Sequence, residues 1–478
     1  MIDYEKLFIG GHWTEPASAD PLEIRSPHDR SLVGRAAQAS PADVDLAVQA
    51  ARYAFDDGPW PRMAPAERQA VIARFNELHA ARAEDLAALV TSENGSALWF
   101  THMIQAHLVP EQTAAYLRAA ESFGWEEPVD PGSAAGPLLR REPVGVVAAI
   151  IPWNAPHQSA LVKMVPALLA GCTVILKASP ETALDALALG DLFTEAGIPD
   201  GVVSILPADR ATSEYLVAHP GIDKIAFTGS TAAGRRIASI AGEQLKRVSL
   251  ELGGKSAAII LEDADLTAVS EGLKYLSFAN NSESCVAHTR ILAPRSRYEE
   301  VVAAVKTLVE SLNVGDPTDP ATWIGPMVRA DQQQRVQSYI ELGIKEGARL
   351  VTGGPDVPEG LEGGYYVRPT VFADVDNSMR IAQEEIFGPV LVIIPFEDED
   401  DAVRIANDSP YGLGGGVWTA DREHGIAVAR RIRTGQVTVN GADPGTTAPF
   451  GGYKASGIGR EFGVSGLAHY VELKTIAV

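Results

Sequence analysis

The chain is poor in cysteine, in positive charge and in long apolar runs. Only Cys172 and Cys285 occur in 478 residues. Two thiols make no disulfide framework, so a reducing compartment, the cytoplasm, is expected. Forty Lys and Arg face 62 Asp and Glu, for a formal charge of −22. That balance excludes nucleic acid or an anionic membrane as a partner held by a general field. The longest apolar region, 159–176, is interrupted by Lys163, Pro166 and Gly171. A membrane span needs about 20 mostly apolar residues, so this region reads as a buried helix followed by a strand. The first ten residues carry neither a basic segment nor a long apolar one, and no secretory signal is expected. Ten histidines are dispersed, without His-Glu-x-x-His or Cys-x-x-Cys, so no metal site is expected.

Several nucleotide and hydrolase signatures are missing too. No Gly-x-Gly-x-x-Gly follows a predicted strand, and there is no Gly-x-Ser-x-Gly elbow. Gly229 and Gly234 have P-loop spacing, but Arg235 and Arg236 stand where lysine and a hydroxyl residue belong. The chain is 46% hydrophobic and 21% charged, as in a folded globular protein, and its length implies about two to four domains.

What is present is strand–helix alternation. Residues 11–40 read as a small peripheral sheet or wrapping arm, and 41–123 as mainly helical. Residues 124–143 are a Pro, Gly, Glu and Arg-rich excursion. Apolar strands are predicted at 144–151, 173–176, 202–206 and 224–227, with helices at 157–170, 181–196 and 232–241 between or after them. A second block follows Gly253-Gly254. It has strands at 256–261 and 389–394 and helices at 266–277, 298–312, 331–346 and 399–407. Residues 467–476 alternate like a strand. Two α/β domains account for this pattern better than one large sheet.

Five segments carry candidate chemistry. Cys285 and Glu251 could act as a nucleophile and a carboxylate base, the pair needed to capture an aldehyde and hydrolyse the resulting thioester, although a buried, inert thiol is the simpler local reading of Cys285. Asn154, in Ile150-Ile-Pro-Trp-Asn, stands at a strand end where its amide could serve an oxyanion; an Asx turn or helix cap is the simpler local reading. Lys177 ends a strand where α/β sheets bind ligands, and a solvent-exposed lysine has equal weight. Gly229, Ser230 and Gly234 form a strand–turn–helix that suits a phosphate or merely caps the helix.

Taken together these segments resemble the aldehyde dehydrogenase superfamily. The likeness runs from Leu7-Phe-Ile-Gly-Gly-His-Trp13 through Pro152-Trp-Asn154, Phe227-Thr-Gly-Ser230, Glu251-Leu-Gly-Gly-Lys255 and Cys285. It continues in Gln383-Glu-Glu-Ile-Phe-Gly-Pro-Val390 and Pro449-Phe-Gly-Gly-Tyr-Lys-Ala-Ser-Gly457. The resemblance implies a Rossmann-like cofactor domain (1–123 and 144–253), a second α/β catalytic domain (254–445) and a small β oligomerisation arm (124–143 and 464–478). It also implies a homodimer or homotetramer. As catalytic residues it implies Cys285, Glu251 and Asn154, with Lys163 and Glu461 as a proton relay. For the cofactor it implies Ile151, Pro152, Trp153, Lys177, Gly229, Ser230, Gly234, Leu252, Glu385 and Phe387.

The expected reaction is oxidation of an aldehyde to its acid with NAD(P)+. A CoA-acylating relative and a catalytically retired scaffold are the alternatives, and Glu251 argues against the first. Four departures from the family stand out. Ser282-Glu283 replace the usual Gly-Gln, and an inward, ionised Glu283 would oppose thiolate formation, so it is expected to face away or be neutral. Pro180 stands where a ribose-binding glutamate is common, with Glu181 one later; this leaves room for NADP, with NAD the favoured coenzyme. Ala155 and Val162 replace larger rings beside Gln158 and Ser159, which implies a wider or more polar aldehyde tunnel. Pro207-Ala208-Asp209 lacks a glycine common in relatives.

Overall fold

The computed structural model describes residues 2–17, 20–130 and 136–477. Two parallel-strand sheets dominate it. The first has eight strands, in spatial order Gly457–Ile458, Arg247–Glu251, Lys224–Thr228, Val146–Ile150, Thr173–Ala178, Val203–Pro207, Leu7–Ile9 and His12–Thr14. Its five central strands are parallel, and the edges at Gly457–Ile458, Leu7–Ile9 and His12–Thr14 pair antiparallel. The continuous apolar run at Val146–Ile150 follows from burial on both faces. Val147 and Ala149 enter one core cluster, while Val146, Ala148 and Ile150 enter another.

The second sheet has seven strands, all drawn from between Ser256 and Val439. Their order is Arg349–Thr352, Thr370–Ala373, Val390–Phe396, His288–Pro294, Ser256–Ile260, Gly415–Trp418 and Thr438–Val439. It too is buried on both sides: Ala257 and Ile259 face one cluster, Ala258 and Ile260 the other. Two small sheets flank the large ones. One joins Ile2–Tyr4, Leu32–Ala36 and Leu22–Arg25; the other joins Val471–Ile476, Leu138–Pro143 and Glu126–Pro128. The 124–143 excursion therefore pairs with the chain's last strand, although residues 131–135 of it, like Met1, Ser18, Ala19 and Val478, lie outside the described residues.

Two expected elements differ. The helix predicted over 181–196 is three pieces: a 3-10 turn at Pro180–Thr182 and helices at Ala183–Leu187 and Gly190–Ala196. Tertiary contacts override local propensity there. The Glu93 carboxylate accepts from the N–H groups of Leu184 (2.8 Å) and Asp185 (2.9 Å), and Gly190 lies against the Phe8 ring. The terminal strand begins at Val471, not at 467, because Gly463–Ala468 is a short helix. Gly466 in that helix lets it approach the Tyr116 hydroxyl, where a Cβ would come within 2.8 Å. No described helix is long and apolar enough to cross a membrane.

Candidate active site

The parallel register brings four strand ends of the first sheet onto one rim. Ile150 pairs with Lys177, Phe227 with Ile150, and Thr228 with Glu251. The residues beyond these strand ends face a different edge of the second sheet. Gly253-Gly254 precede its strand at Ser256, Cys285 precedes the one at His288, and Glu385 and Phe387 precede the one at Val390. Glycine is needed where the edges meet. A Cβ on Gly254 would overlap the Cys285 carbonyl oxygen, and one on Gly253 would overlap the Glu385 carboxylate.

Cys285 sits partly exposed on a tightly bound loop. Asn280, Asn281 and Ser282 all have left-handed backbone, with φ of 54°, 58° and 57°. Asparagine tolerates this region and serine less so, which explains physically why glycine is usual at the Ser282 position. Asn281 is held on three sides: its amide donates to the carbonyls of Gly95 (3.1 Å) and Pro326 (3.0 Å), and its oxygen accepts from the Gly325 N–H (2.7 Å). Burial, followed by the negative charges of Glu385 and Glu251, pushes the Cys285 thiol up to about 12. The thiol therefore rests protonated.

Glu283 faces away from the sulfur. Its carboxyl accepts from the Val328 N–H at 3.3 Å, and burial holds it well above the ordinary carboxylate range, hence neutral. Its main-chain carbonyl instead accepts from Asn154 Nδ2 at 2.8 Å. Asn154 is thus no helix cap: Ala155 occupies that position at the start of Pro156–Ala170.

Glu251 is 3% exposed and neither carboxylate oxygen has a hydrogen-bond partner. Burial and then Glu461 raise it well above its ordinary value, opposed by Lys163 and Arg460. Lys163 Nζ donates to Glu461 at 2.5 Å and to Thr228 Oγ1 at 2.6 Å, so the two expected relay residues are paired beside Glu251.

The expected cofactor residues line the same rim. Ile151 is buried, with its N–H on the Lys177 carbonyl at 3.2 Å, and the partly exposed Pro152 leads to Trp153. The Trp153 ring meets Phe387 edge-on at 5.5 Å, and Phe387 itself has φ 64°. Lys177 is almost fully buried; desolvation pulls its amine down to about 8, opposed by Glu181 and Asp209. Ser230 caps the helix Thr231–Glu243 by accepting from Ala233 N–H at 3.2 Å, so its hydroxyl serves the helix. A Cβ on Gly234 would fall 2.5 Å from the Leu252 side chain, and one on Gly229 2.5 Å from the Phe227 ring. Glu385 accepts from the Gly254 N–H at 2.9 Å.

Sequence reasoning missed Asn94, Ser96, Asn280 and Thr228, which bind the site residues directly. Their partners lie far along the chain, so no local pattern marks them. Only the sequence Asn280-Asn281 just before the cysteine could have drawn notice.

The aldehyde dehydrogenase family model matches residues 13–476. The chain belongs to that family, whose members are oxidoreductases acting on aldehydes. Geranial dehydrogenase of Castellaniella defragrans is 46% identical over 475 residues, covering 99% of each chain. The 3-succinoylsemialdehyde-pyridine dehydrogenase of a Pseudomonas species is 40% identical, covering 100% of this chain and 99% of its own. Among solved structures, a Mycobacterium tuberculosis aldehyde dehydrogenase complexed with NAD+ superposes with TM-score 0.96 at 48% identity, over 100% of this chain and 98% of that one. A cysteine-to-alanine mutant of aldehyde dehydrogenase C from Pseudomonas syringae, complexed with NAD+ and octanal, gives TM-score 0.95 at 43% identity, over 99% and 96%.

Proposed function

We propose that this protein oxidises an aldehyde to its carboxylic acid with NAD+ through a thioester on Cys285, which water then hydrolyses. The observation that carries the reading is Glu251: a buried carboxylate with no hydrogen-bond partner, ending the strand that leads into Gly253-Gly254, which pack against Glu385 and the Cys285 carbonyl. A structural carboxylate so buried would be hydrogen-bonded. One kept bare suits a base awaiting a water.

The rim fits a dinucleotide. Lys177 carries a buried charge that nearby carboxylates only partly offset, and the N–H groups opening Thr231–Glu243 favour a phosphate. Gly229 and Gly234 allow close approach there, and Leu252 packs behind Gly234. Ile151, Pro152 and Trp153 would line one side, with Glu385 and Phe387 on the ribose and nicotinamide side. When bound, NAD+ would accept the hydride. Glu181 supports NAD+ over NADP. It hydrogen-bonds Ser179, pairs with Arg329 at 3.0 Å and acts on Lys177, so a carboxylate stands near the lysine although Pro180 holds the usual position.

The chain's own residues supply the remaining steps. Cys285 Sγ gives up its proton to solvent and, as thiolate, bonds to the aldehyde carbon. The second amide hydrogen of Asn154 and the Cys285 N–H hold the oxygen that becomes negative. After oxidation leaves the thioester, Glu251 takes a proton from water, whose oxygen bonds to the acyl carbon as the carbon–sulfur bond breaks. Lys163 and Glu461 pass that proton on. Glu251 favours hydrolysis over transfer to CoA, and a buried Glu283 carboxyl turned to the Val328 N–H weakens the retired-scaffold reading, which rests on Ser282 and Glu283.

We place the protein in the cytoplasm, on two free cysteines and no disulfide. The chain divides at Gly253-Gly254 into cofactor and catalytic parts. The three-stranded sheet of Val471–Ile476, Leu138–Pro143 and Glu126–Pro128 serves as an oligomerisation arm, since the edge strand Val471–Ile476 exposes Leu473. Following NADH absorbance with octanal, with and without CoA, tests the reading. Wild type should form octanoate without CoA and Cys285→Ala should form none. Undiminished turnover by Cys285→Ala, or a requirement for CoA, would overturn it.

A further inference from the structure

The expected oxyanion donor, Asn154, stands on the first sheet, whereas the nucleophile stands on the second. Something must hold them in register, and one buried side chain spans the gap. Asn280 Nδ2 donates to the Asn154 carbonyl at 2.8 Å and to the Glu283 carbonyl at 3.1 Å. Glu283's carbonyl also accepts from Asn154 Nδ2 at 2.8 Å. A closed ring results: Asn154 backbone, Asn280 amide, Glu283 carbonyl, Asn154 amide.

We propose that Asn280 is a positioning residue for the oxyanion site, locking the Asn154 amide to the loop that carries Cys285. This rests on the role proposed above for Asn154. A carboxamide has two N–H donors; Asn280 spends both within the ring, and Asn154 spends one, leaving one aimed elsewhere for a substrate oxygen. The ring is anchored from a third element, the end of the helix Pro65–Asn94. Ser96 Oγ donates to Asn280 Oδ1 at 2.5 Å, and Asn94 Nδ2 donates to the Trp153 carbonyl at 3.1 Å. Asn280 is 2% exposed and takes a left-handed backbone that asparagine and aspartate tolerate. Aspartate at this position keeps size and backbone preference but has no hydrogen to give, so it turns two donated bonds into contacts between oxygens.

The test is a double-mutant cycle with NAD+ and octanal: wild type, Asn154→Ala, Asn280→Asp and both. Losing an oxyanion donor costs about 10²-fold in kcat, and misplacing one can cost as much. Asn280→Asp should therefore lower kcat at least about tenfold, with the KM for NAD+ unchanged. The double variant should be no slower than Asn154→Ala within about threefold, because Asn280 acts through Asn154. Should Asn280→Asp not fold, Ser96→Ala enters the same cycle, with the same non-additivity expected at smaller amplitude. Multiplying effects, or unchanged kcat in the second-site variant, would overturn the positioning role alone. Unchanged kcat in Asn154→Ala would instead overturn the oxyanion role on which it rests.

Discussion

The two large sheets share a build: parallel strands, apolar on both faces, with helices between. They offer opposite ends to the site. The first sheet contributes residues at or just past the carboxyl ends of its strands: Asn154 after Ile150, Lys177 near the end of its strand, and Glu251 as the last residue of another. The second contributes residues ahead of the amino ends of its strands, Gly254, Cys285, Glu385 and Phe387. Its carboxyl ends do structural work: Asp263 binds Thr419 Oγ1 at 2.8 Å, and Arg295 pairs with Glu397 at 2.7 Å.

The difference is instructive because the two rims also differ in how fully they are satisfied. The cysteine loop is held by hydrogen bonds to Gly95, Gly325 and Pro326, although Lys255 on the same rim is buried without a partner, whereas Glu251 and Lys177 on the opposite rim are buried with their charges incompletely offset. One rim holds geometry and the other keeps groups in reserve for water and ligand. Parallel sheets usually bind ligands beyond their carboxyl ends, a rule that the first sheet obeys and the second does not.

Substitutions of Glu251 and Lys177 should therefore act directly on turnover or on NAD+ binding. Glu251→Gln removes the proposed base and should slow steady-state oxidation by about 10²- to 10⁴-fold. A first-turnover burst of NADH should remain, visible by stopped-flow absorbance; loss of the burst as well would assign Glu251 to the acylation half. Lys177→Met should raise the KM for NAD+ about tenfold or more with kcat little changed, as a charged hydrogen bond to the ligand is lost. An equal drop in kcat would move Lys177 from binding to chemistry.

Lys163→Met deletes a cation that holds the Glu251 carboxyl down. A raised carboxyl is ionised only at higher pH, so the acid limb of the deacylation-limited rate should shift further upward. A shift downward would separate Lys163 from Glu251. On the satisfied rim, Glu283→Gln should change Cys285 alkylation by iodoacetamide at neutral pH less than about threefold. Its carboxyl is neutral and turned to Val328, whereas great acceleration would mean a negative charge facing the thiol.

Much of this organisation is legible in the chain. Strand–helix alternation from 144 onward follows from apolar runs, and four of the first sheet's five central strands fall within a residue or two of their expected limits, whereas Arg247–Glu251 has no apolar run to mark it. The site motifs sit at turns beside strands, where glycine and proline mark them. Strands at His288–Pro294, Thr370–Ala373 and Gly415–Trp418 escape local reading because their pairing is set by distant neighbours. For the same reason the break at 188–189 depends on Glu93 and Phe8, not on residues of the helix itself. The Ser282 anomaly is visible as a substitution, but its meaning requires the backbone: φ 57° costs a serine about 1–2 kcal/mol, held here by a hydroxyl bond to the Ser277 carbonyl at 2.7 Å. The pairing of opposite sheet ends cannot be read locally at all, since it arises only when the turn at Gly253-Gly254 brings the two rims together.

Trapping the acyl group tests the chemistry at that junction most directly. Glu251→Gln mixed with NAD+ and octanal, quenched in acid and digested, should give a peptide containing Cys285 heavier by one octanoyl group. An unmodified Cys285 peptide alongside a burst of NADH, or the acyl group on another residue, would contradict the account.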